Sequence, residues 1–192
     1  MSWVPEDRAP REYREIKTAV RKGLLMVYTG DGKGKTTAAL GVVFRALGRG
    51  WRIAVVQFIK GKWKTGEAEL AKEFAGRLEW FSLGDGFTWI TKNYDQDVAS
   101  ARRAWAKCLE VLADPRYQLV VFDELSYVLK YNFLPVEEVL EGLKRRPPRT
   151  HVIITGRDAP LALMELADLV TEMREIKHPY RAGIKAQPGI DY

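Results

Sequence analysis

One segment constrains the fold of this 192-residue chain more than any other. A short apolar run, Leu24 to Tyr28, leads into Thr29-Gly30-Asp31-Gly32-Lys33-Gly34-Lys35-Thr36-Thr37, and then into a stretch with apolar residues at Leu40, Val43, Phe44 and Leu47. The first run reads as a buried strand. The last reads as an amphipathic helix that buries those four residues and ends at Gly48. Glycines between the two let the backbone curl so that several N–H groups face one point, where the helix N-terminus adds partial positive charge. A glycine-rich loop in that strand-to-helix context binds phosphates, and Gly30 to Thr37 is read as holding those of ATP. Lys35 is then placed to reach the outer phosphates and the Thr36 hydroxyl to ligate Mg²⁺. In the pattern GxxxxGK[ST] the first glycine falls where this chain has Thr29, with Gly30 one position late, so the loop is a variant.

Downstream, short apolar runs alternate with amphipathic stretches. Strands are expected at Ile53–Phe58, Leu78–Leu83, Leu119–Phe122, His151–Thr155 and Leu169–Ile176. Helices are expected from Asp95 to about Ala113, over Val136–Leu143 and near Leu161–Leu166. The long helix should bury Val98, Ala101, Trp105, Cys108, Leu109 and Leu112. Continuous β-branched runs separated by helices imply an α/β fold, a mostly parallel sheet covered by helices on both faces, with the P-loop NTPase (RecA-like) architecture. Residues 1–22, polar and of alternating charge with two prolines, read as an N-terminal arm; residues 23–192 read as one domain.

Composition narrows the function classes. With 46% hydrophobic residues the chain buries a sizeable core. No apolar run approaches the roughly 20 residues that cross a bilayer, and the N-terminus lacks the apolar stretch of a signal peptide. A soluble, cytoplasmic protein with no membrane partner is expected. The single cysteine, Cys108, excludes an internal disulfide and a cysteine zinc cluster, and reads as a buried thiol. The net charge of +6 arises from 31 basic and 25 acidic residues mixed along the chain, a pattern of solvated surface, and no nucleic-acid partner is expected.

The second half of a phosphate-loop site is a carboxylate at the end of an apolar strand. LVVFDE supplies Asp123 and Glu124 there, and either acid can hold Mg²⁺ directly or through water. Phe87 and Trp89 in GDGFTWITKNYD are two apart; on spacing alone such a pair is more often core than cofactor wall.

Taken together, TGDGKGKTTAALG, QFIKGKWKTGEAE, GDGFTW with the helix after it, VVFDELSYVLKYNFLP and the terminal KHPYRAGIKAQPGIDY resemble the ATP:corrinoid adenosyltransferases of the P-loop type over about Gly23 to Tyr192. The resemblance implies a nucleotide- and corrinoid-binding domain that transfers the 5′-deoxyadenosyl group of ATP to Co(I) of a corrinoid and releases triphosphate. Gly30, Asp31, Gly32, Lys33, Gly34, Lys35, Thr36 and Thr37 would hold the triphosphate, with Thr36, Glu124 and Asp123 around Mg²⁺. Phe87 and Trp89 would form the lower wall of the corrinoid site and, with Lys35, carry the chemistry. Arg45 and Arg157 read as surface arginines or as contacts to ATP, and Lys60, with Lys62 and Glu67, as surface residues or as partners of corrin side chains or ribose. Asp31 stands where the family often has Asn. The resemblance also implies a homodimer and an electron donor such as a flavoprotein. The competing readings are an ordinary P-loop ATPase or small-molecule kinase and a non-catalytic binding module.

Overall fold

The apolar runs assemble into a six-stranded, all-parallel sheet in the order β3-β2-β4-β5-β1-β6, in a computed structural model that describes residues 21–59, 65–84 and 93–191. The strands are β1 (Leu25–Thr29), β2 (Ile53–Gln57), β3 (Leu78–Ser82), β4 (Leu119–Asp123), β5 (His151–Thr155) and β6 (Leu169–Glu172). The helices are α1 (Lys35–Leu47), α2 (Gly66–Ala71), α3 (Tyr94–Ala113), α4 (Leu125–Lys130), α5 (Val136–Lys144) and α6 (Leu161–Leu166), with short 3₁₀ turns at Lys72–Phe74 and Pro179–Ala182.

Alternate residues along each strand face opposite sides, and both sides are buried. Leu25, Val27, Val56, Phe122 and Ile154 lie in a cluster with Trp105, Cys108 and Leu112 of α3 and with apolar residues of α4, α5 and α6. Met26, Tyr28, Val55, Val121 and Ile153 lie in the other, against Ala39, Val43, Ala46 and Leu47 of α1 and Ala71 of α2. A two-sided cover is why the strands read as unbroken apolar runs. Each fully buried Leu, Ile, Val or Phe contributes about 1.5–3 kcal/mol, so this double layer, rather than any surface ion pair, holds the strand ends in place.

Two expected faces differ in detail. On α1, Phe44 is 74% exposed, while Ala39 and Ala46 are buried with Val43 and Leu47. The small alanines let the helix lie close to the sheet, and Phe44, about 100° around from Val43, turns outward beside Leu70 and Trp80. On α3, Leu109 is 41% exposed and Val98 only partly buried, whereas Ala104 and Val111 join the buried stripe. The last strand stops at Glu172 instead of Ile176 because its partner stops: β1 ends at Thr29, opposite Glu172, and the chain beyond then follows the loop.

The helix pair α3–α5 offers a test of the packing. A Cβ on Gly142 would lie 2.5 Å from Cζ2 of Trp105 and 2.9 Å from a methyl of Leu109. Gly142→Ala therefore overpacks this contact at about 1–3 kcal/mol, which outweighs the roughly 1 kcal/mol that alanine gains as a helix former. Thermal unfolding of the variant should begin a few degrees lower than in the parent, about 2–4 °C per kcal/mol; an unchanged or higher midpoint contradicts the close approach.

Candidate functional site

In a parallel sheet all strands end at the same edge, and here every strand ends on a polar residue: Thr29, Gln57, Ser82, Asp123, Thr155 and Glu172 in order from β1 to β6. Ligands of open α/β sheets bind outside this carboxyl edge. Asp123, only 1% exposed, is the hub of the edge. Its Oδ1 accepts from the hydroxyls of Thr36 at 2.8 Å and Thr155 at 2.7 Å, and its Oδ2 accepts from Nε2 of Gln57 at 3.0 Å. The Gln57 amide cannot turn over without loss, because its Oε1 accepts from Trp80 Nε1 at 2.9 Å and Ser82 Oγ at 3.0 Å. One buried network thus ties four strand ends to the first turn of α1.

Glu124 follows directly and adopts a left-handed backbone, φ 65°. For a residue with a Cβ this costs about 1–2 kcal/mol, and the cost is met where its N–H donates to Thr155 Oγ1 at 2.9 Å. Non-glycine strain of this kind concentrates at working sites. Asp123 and Glu124 are consecutive, yet one is locked into the sheet and the other is set at the head of α4, partly exposed.

The loop between β1 and α1 lies beside this hub. Gly30 (φ 93°) and Gly34 (φ 108°) take left-handed conformations, and Gly34 caps α1. A Cβ on Gly30 would strike the carbonyl of Met173, and one on Gly32 would lie 2.7 Å from the carbonyl carbon of Arg174. Gly32 N–H donates to Met173 O at 2.7 Å, and Met173 N–H to Thr29 O at 2.8 Å. The chain after β6 is therefore pressed along the loop. Lys35 is buried, and its ammonium donates to the carbonyls of Gly30 at 2.6 Å and Gly32 at 2.7 Å. Desolvation holds the Lys35 ammonium below the ordinary lysine value, opposed by Glu124, then reinforced by Arg157, with Asp31 and Asp158 also opposing. Arg157, just past β5, therefore belongs to the electrostatic surroundings of the loop.

The structure thus gathers Gly30, Gly32, Gly34, Lys35, Thr36, Asp123, Glu124 and Arg157 at one edge, with Asp31 and Thr37 exposed on the loop and first helical turn. Lys33 is exposed and forms an ion pair with Asp191 of the C-terminal tail. Arg45 sits in the last turn of α1, about 15 Å of helix rise from Lys35, and is not gathered with the others. Glu67 lies in the first turn of α2. Lys60, Lys62, Phe87 and Trp89 lie outside the described residues. Gln57, Ser82, Thr155 and Asp191 were not anticipated from the sequence. A signal existed for Thr155, the polar residue that closes the apolar run HVII, whereas Gln57 and Ser82 interrupt runs that continue to Ile59 and Leu83. His151 heads β5 at the opposite edge, stacked on Trp51 with ring centroids 5.2 Å apart, so no proton-relaying role at the loop falls to it.

A strand-loop-helix with a buried lysine, a hydroxyl joined to a strand-end aspartate and an all-parallel sheet defines a P-loop α/β nucleotide-binding protein. The architecture is similar to that of the flagellar accessory protein FlaH from Methanocaldococcus jannaschii, with a TM-score of 0.57 over 80% of this chain and 72% of that one; at 14% identity this likeness concerns the fold alone. Sequence similarity is far stronger elsewhere. The sequence model of the ATP:corrinoid adenosyltransferase BtuR/CobO/CobP family matches residues 21–192. A corrinoid adenosyltransferase of Sinorhizobium sp. is 48% identical over 98% of this chain and 89% of its own, and one of Pseudomonas aeruginosa is 43% identical over 100% of both. The chain belongs to the ATP:corrinoid adenosyltransferase family, and its activity is the transfer of the adenosyl group of ATP to a corrinoid. Among the described residues no helix is long and apolar enough to cross a membrane.

Proposed function

We propose that the loop Gly30 to Thr37 grips the whole triphosphate of ATP as a leaving group, while Co(I) of the bound corrinoid attacks the ribose 5′ carbon. The cobalt lone pair forms the Co–C bond, the C5′–O bond breaks with its electron pair going to triphosphate, and cobalt ends as Co(III). No proton moves in this step. The observation that carries the reading is the buried Lys35 ammonium held across the loop beside a Thr36–Asp123 pair. This is an arrangement for charge neutralisation and orientation, with no general base required.

Lys35 and Lys33 offset the charge that develops on the leaving oxygen, with Arg157 close by. The oxygen donors Thr36, Asp123 and Glu124 suit Mg²⁺, which takes one or two carboxylates together with substrate phosphates. Both oxygens of Asp123 accept hydrogen bonds, from Thr36 and Thr155 on one and Gln57 on the other, so it acts by fixing Thr36, and Glu124 is the more accessible acid. Mg²⁺ bound there supplies further neutralisation of the triphosphate. Family resemblance assigns Phe87 and Trp89 to the lower wall of the corrinoid, where they displace the lower axial ligand; loss of that donor stabilises the filled cobalt orbital and makes Co(II) reducible to Co(I). It likewise assigns Lys60 and Arg45 to substrate contacts, a flavoprotein as electron donor and a homodimer, while the mixed-charge composition supports a cytoplasmic setting.

The test is an anaerobic incubation with Mg-ATP and cob(I)alamin, read by absorbance. A light-sensitive cobalt–carbon bond should form in step with ATP consumption. Release of ADP and phosphate with no adenosylated corrinoid would overturn the reading in favour of an ordinary ATPase.

A further inference from the structure

The ion pair between Lys33 and Asp191 joins residues 158 apart in sequence, from the middle of the phosphate loop to the end of the C-terminal tail. Asp191 is not a stray surface acid. Its side chain is 16% exposed, its Oδ2 accepts from the backbone N–H of Gln187 at 2.9 Å, and its own N–H donates to the Gln187 carbonyl at 2.9 Å. One carboxylate oxygen therefore closes a turn within the tail while the other meets the loop lysine. The same tail segment is fastened upstream, where Met173 lies in backbone hydrogen bonds to Thr29 and Gly32. Lys33 is about half exposed, and of the loop's two lysines it is the one turned outward.

Resting on the reading that this loop holds the triphosphate, we propose that Asp191 is a positioning residue that keeps Lys33 engaged between turnovers and yields it to the triphosphate. A carboxylate and a triphosphate cannot share one ammonium without strong repulsion, since the triphosphate brings several negative charges to the same atom. With its ammonium partner about half exposed the pair is weak, so the polyanion displaces it readily. Displacement frees the Gln187–Asp191 turn from the loop, and return of Asp191 to Lys33 accompanies departure of the triphosphate product. Asp191 thereby acts on the affinity of the loop for polyphosphate rather than on the chemical step.

The experiment titrates the full-length chain with inorganic tripolyphosphate and with Mg-ATP at low ionic strength. It compares the parent with Asp191→Asn, Asp191→Glu and Lys35→Ala, and follows hydrogen exchange over 184–191. Asp191→Asn should bind tripolyphosphate about two- to fivefold more tightly, with a correspondingly lower KM for ATP and an unchanged rate for the chemical step in a single turnover. Asp191→Glu, which keeps the charge, should stay close to the parent. Exchange over the tail of the parent should quicken when tripolyphosphate binds. Unchanged or weaker binding by Asp191→Asn, or a tail equally or better protected in the complex, overturns the proposal. Lys35→Ala separates the two layers: loss of binding there with no effect at Asp191 sinks only the tail's role, whereas intact binding by Lys35→Ala sinks the assignment of the loop itself.

Discussion

Lys35→Ala abolishes productive ATP binding and lowers kcat/KM by at least about 10²–10³, the usual loss when one preorganised charge or donor is taken from a site of developing negative charge. The size of the effect follows from burial. The Lys35 ammonium is withdrawn from water and hydrogen-bonded at 2.6 and 2.7 Å to two carbonyls of the loop that it spans. Its positive charge is thus already desolvated and aimed before the substrate arrives, so little reorganisation is needed when phosphate oxygens approach. Alanine removes the charge and leaves the Gly30 and Gly32 carbonyls without the donor they share. Arginine should not rescue it, because a planar fork fits poorly where a compact ammonium bridges two carbonyls. Calorimetric titration with Mg-ATP, alongside a melting curve to show that the fold persists, measures the effect; ATP affinity equal to the parent's would contradict it.

Asp123→Asn should be less damaging to activity than Lys35→Ala but worse for stability, although it changes a single oxygen to an amide nitrogen. Asp123 accepts three hydrogen bonds and donates none. An asparagine has one acceptor oxygen and an NH₂ group, and the NH₂ must then face either the Gln57 amide nitrogen or the two threonine hydroxyls. If it faces Gln57, two donors meet. Rotating the Gln57 amide to cure this would break its bonds from Trp80 and Ser82. If it faces Thr36 and Thr155, both hydroxyls lose the acceptor of their hydrogens, and Thr155 Oγ1 must accept from the new amide as well as from the N–H of the strained Glu124. Leaving a buried polar group unsatisfied costs about 1–3 kcal/mol, and Thr36 is released from its place at the head of α1. Urea unfolding should show that loss, and adenosyl transfer should fall at least about 10-fold even at temperatures where the variant is folded. Parent-like stability and turnover would show that the Asp123 network does not organise the site.

Much of this architecture was legible because both faces of the sheet are covered. Runs such as LVVF and HVII admit few alternatives to a buried parallel strand, and the loop with its flanking strand and helix was readable from Gly30, Gly34, Lys35 and Thr36 alone. Short helices were less visible. α2 and α4 have six residues each; the first follows a glycine- and lysine-rich stretch and the second begins at a left-handed glutamate, so neither carries enough periodicity to declare itself. Phe44 misled for a related reason. Apolar identity marks a helix face only approximately, and the alanines at 39 and 46 were the residues that set how closely α1 approaches the sheet. Within the site, Asp123 and Glu124 could be found from their place at a strand end, but their unequal roles could not. Those depend on Gln57 and Thr155 arriving from neighbouring strands, a matter of sheet order. The pairing of Lys33 with Asp191 depends on where the tail runs after β6, which no local pattern encodes.

Whether the loop holds a leaving group rather than a phosphate in transit is tested most directly by phosphorus NMR of a single anaerobic turnover. With enzyme in excess over cob(I)alamin and Mg-ATP, one intact inorganic triphosphate should appear for each corrinoid that gains a cobalt–carbon bond, with no ADP. Appearance of ADP and orthophosphate in place of triphosphate would contradict the account.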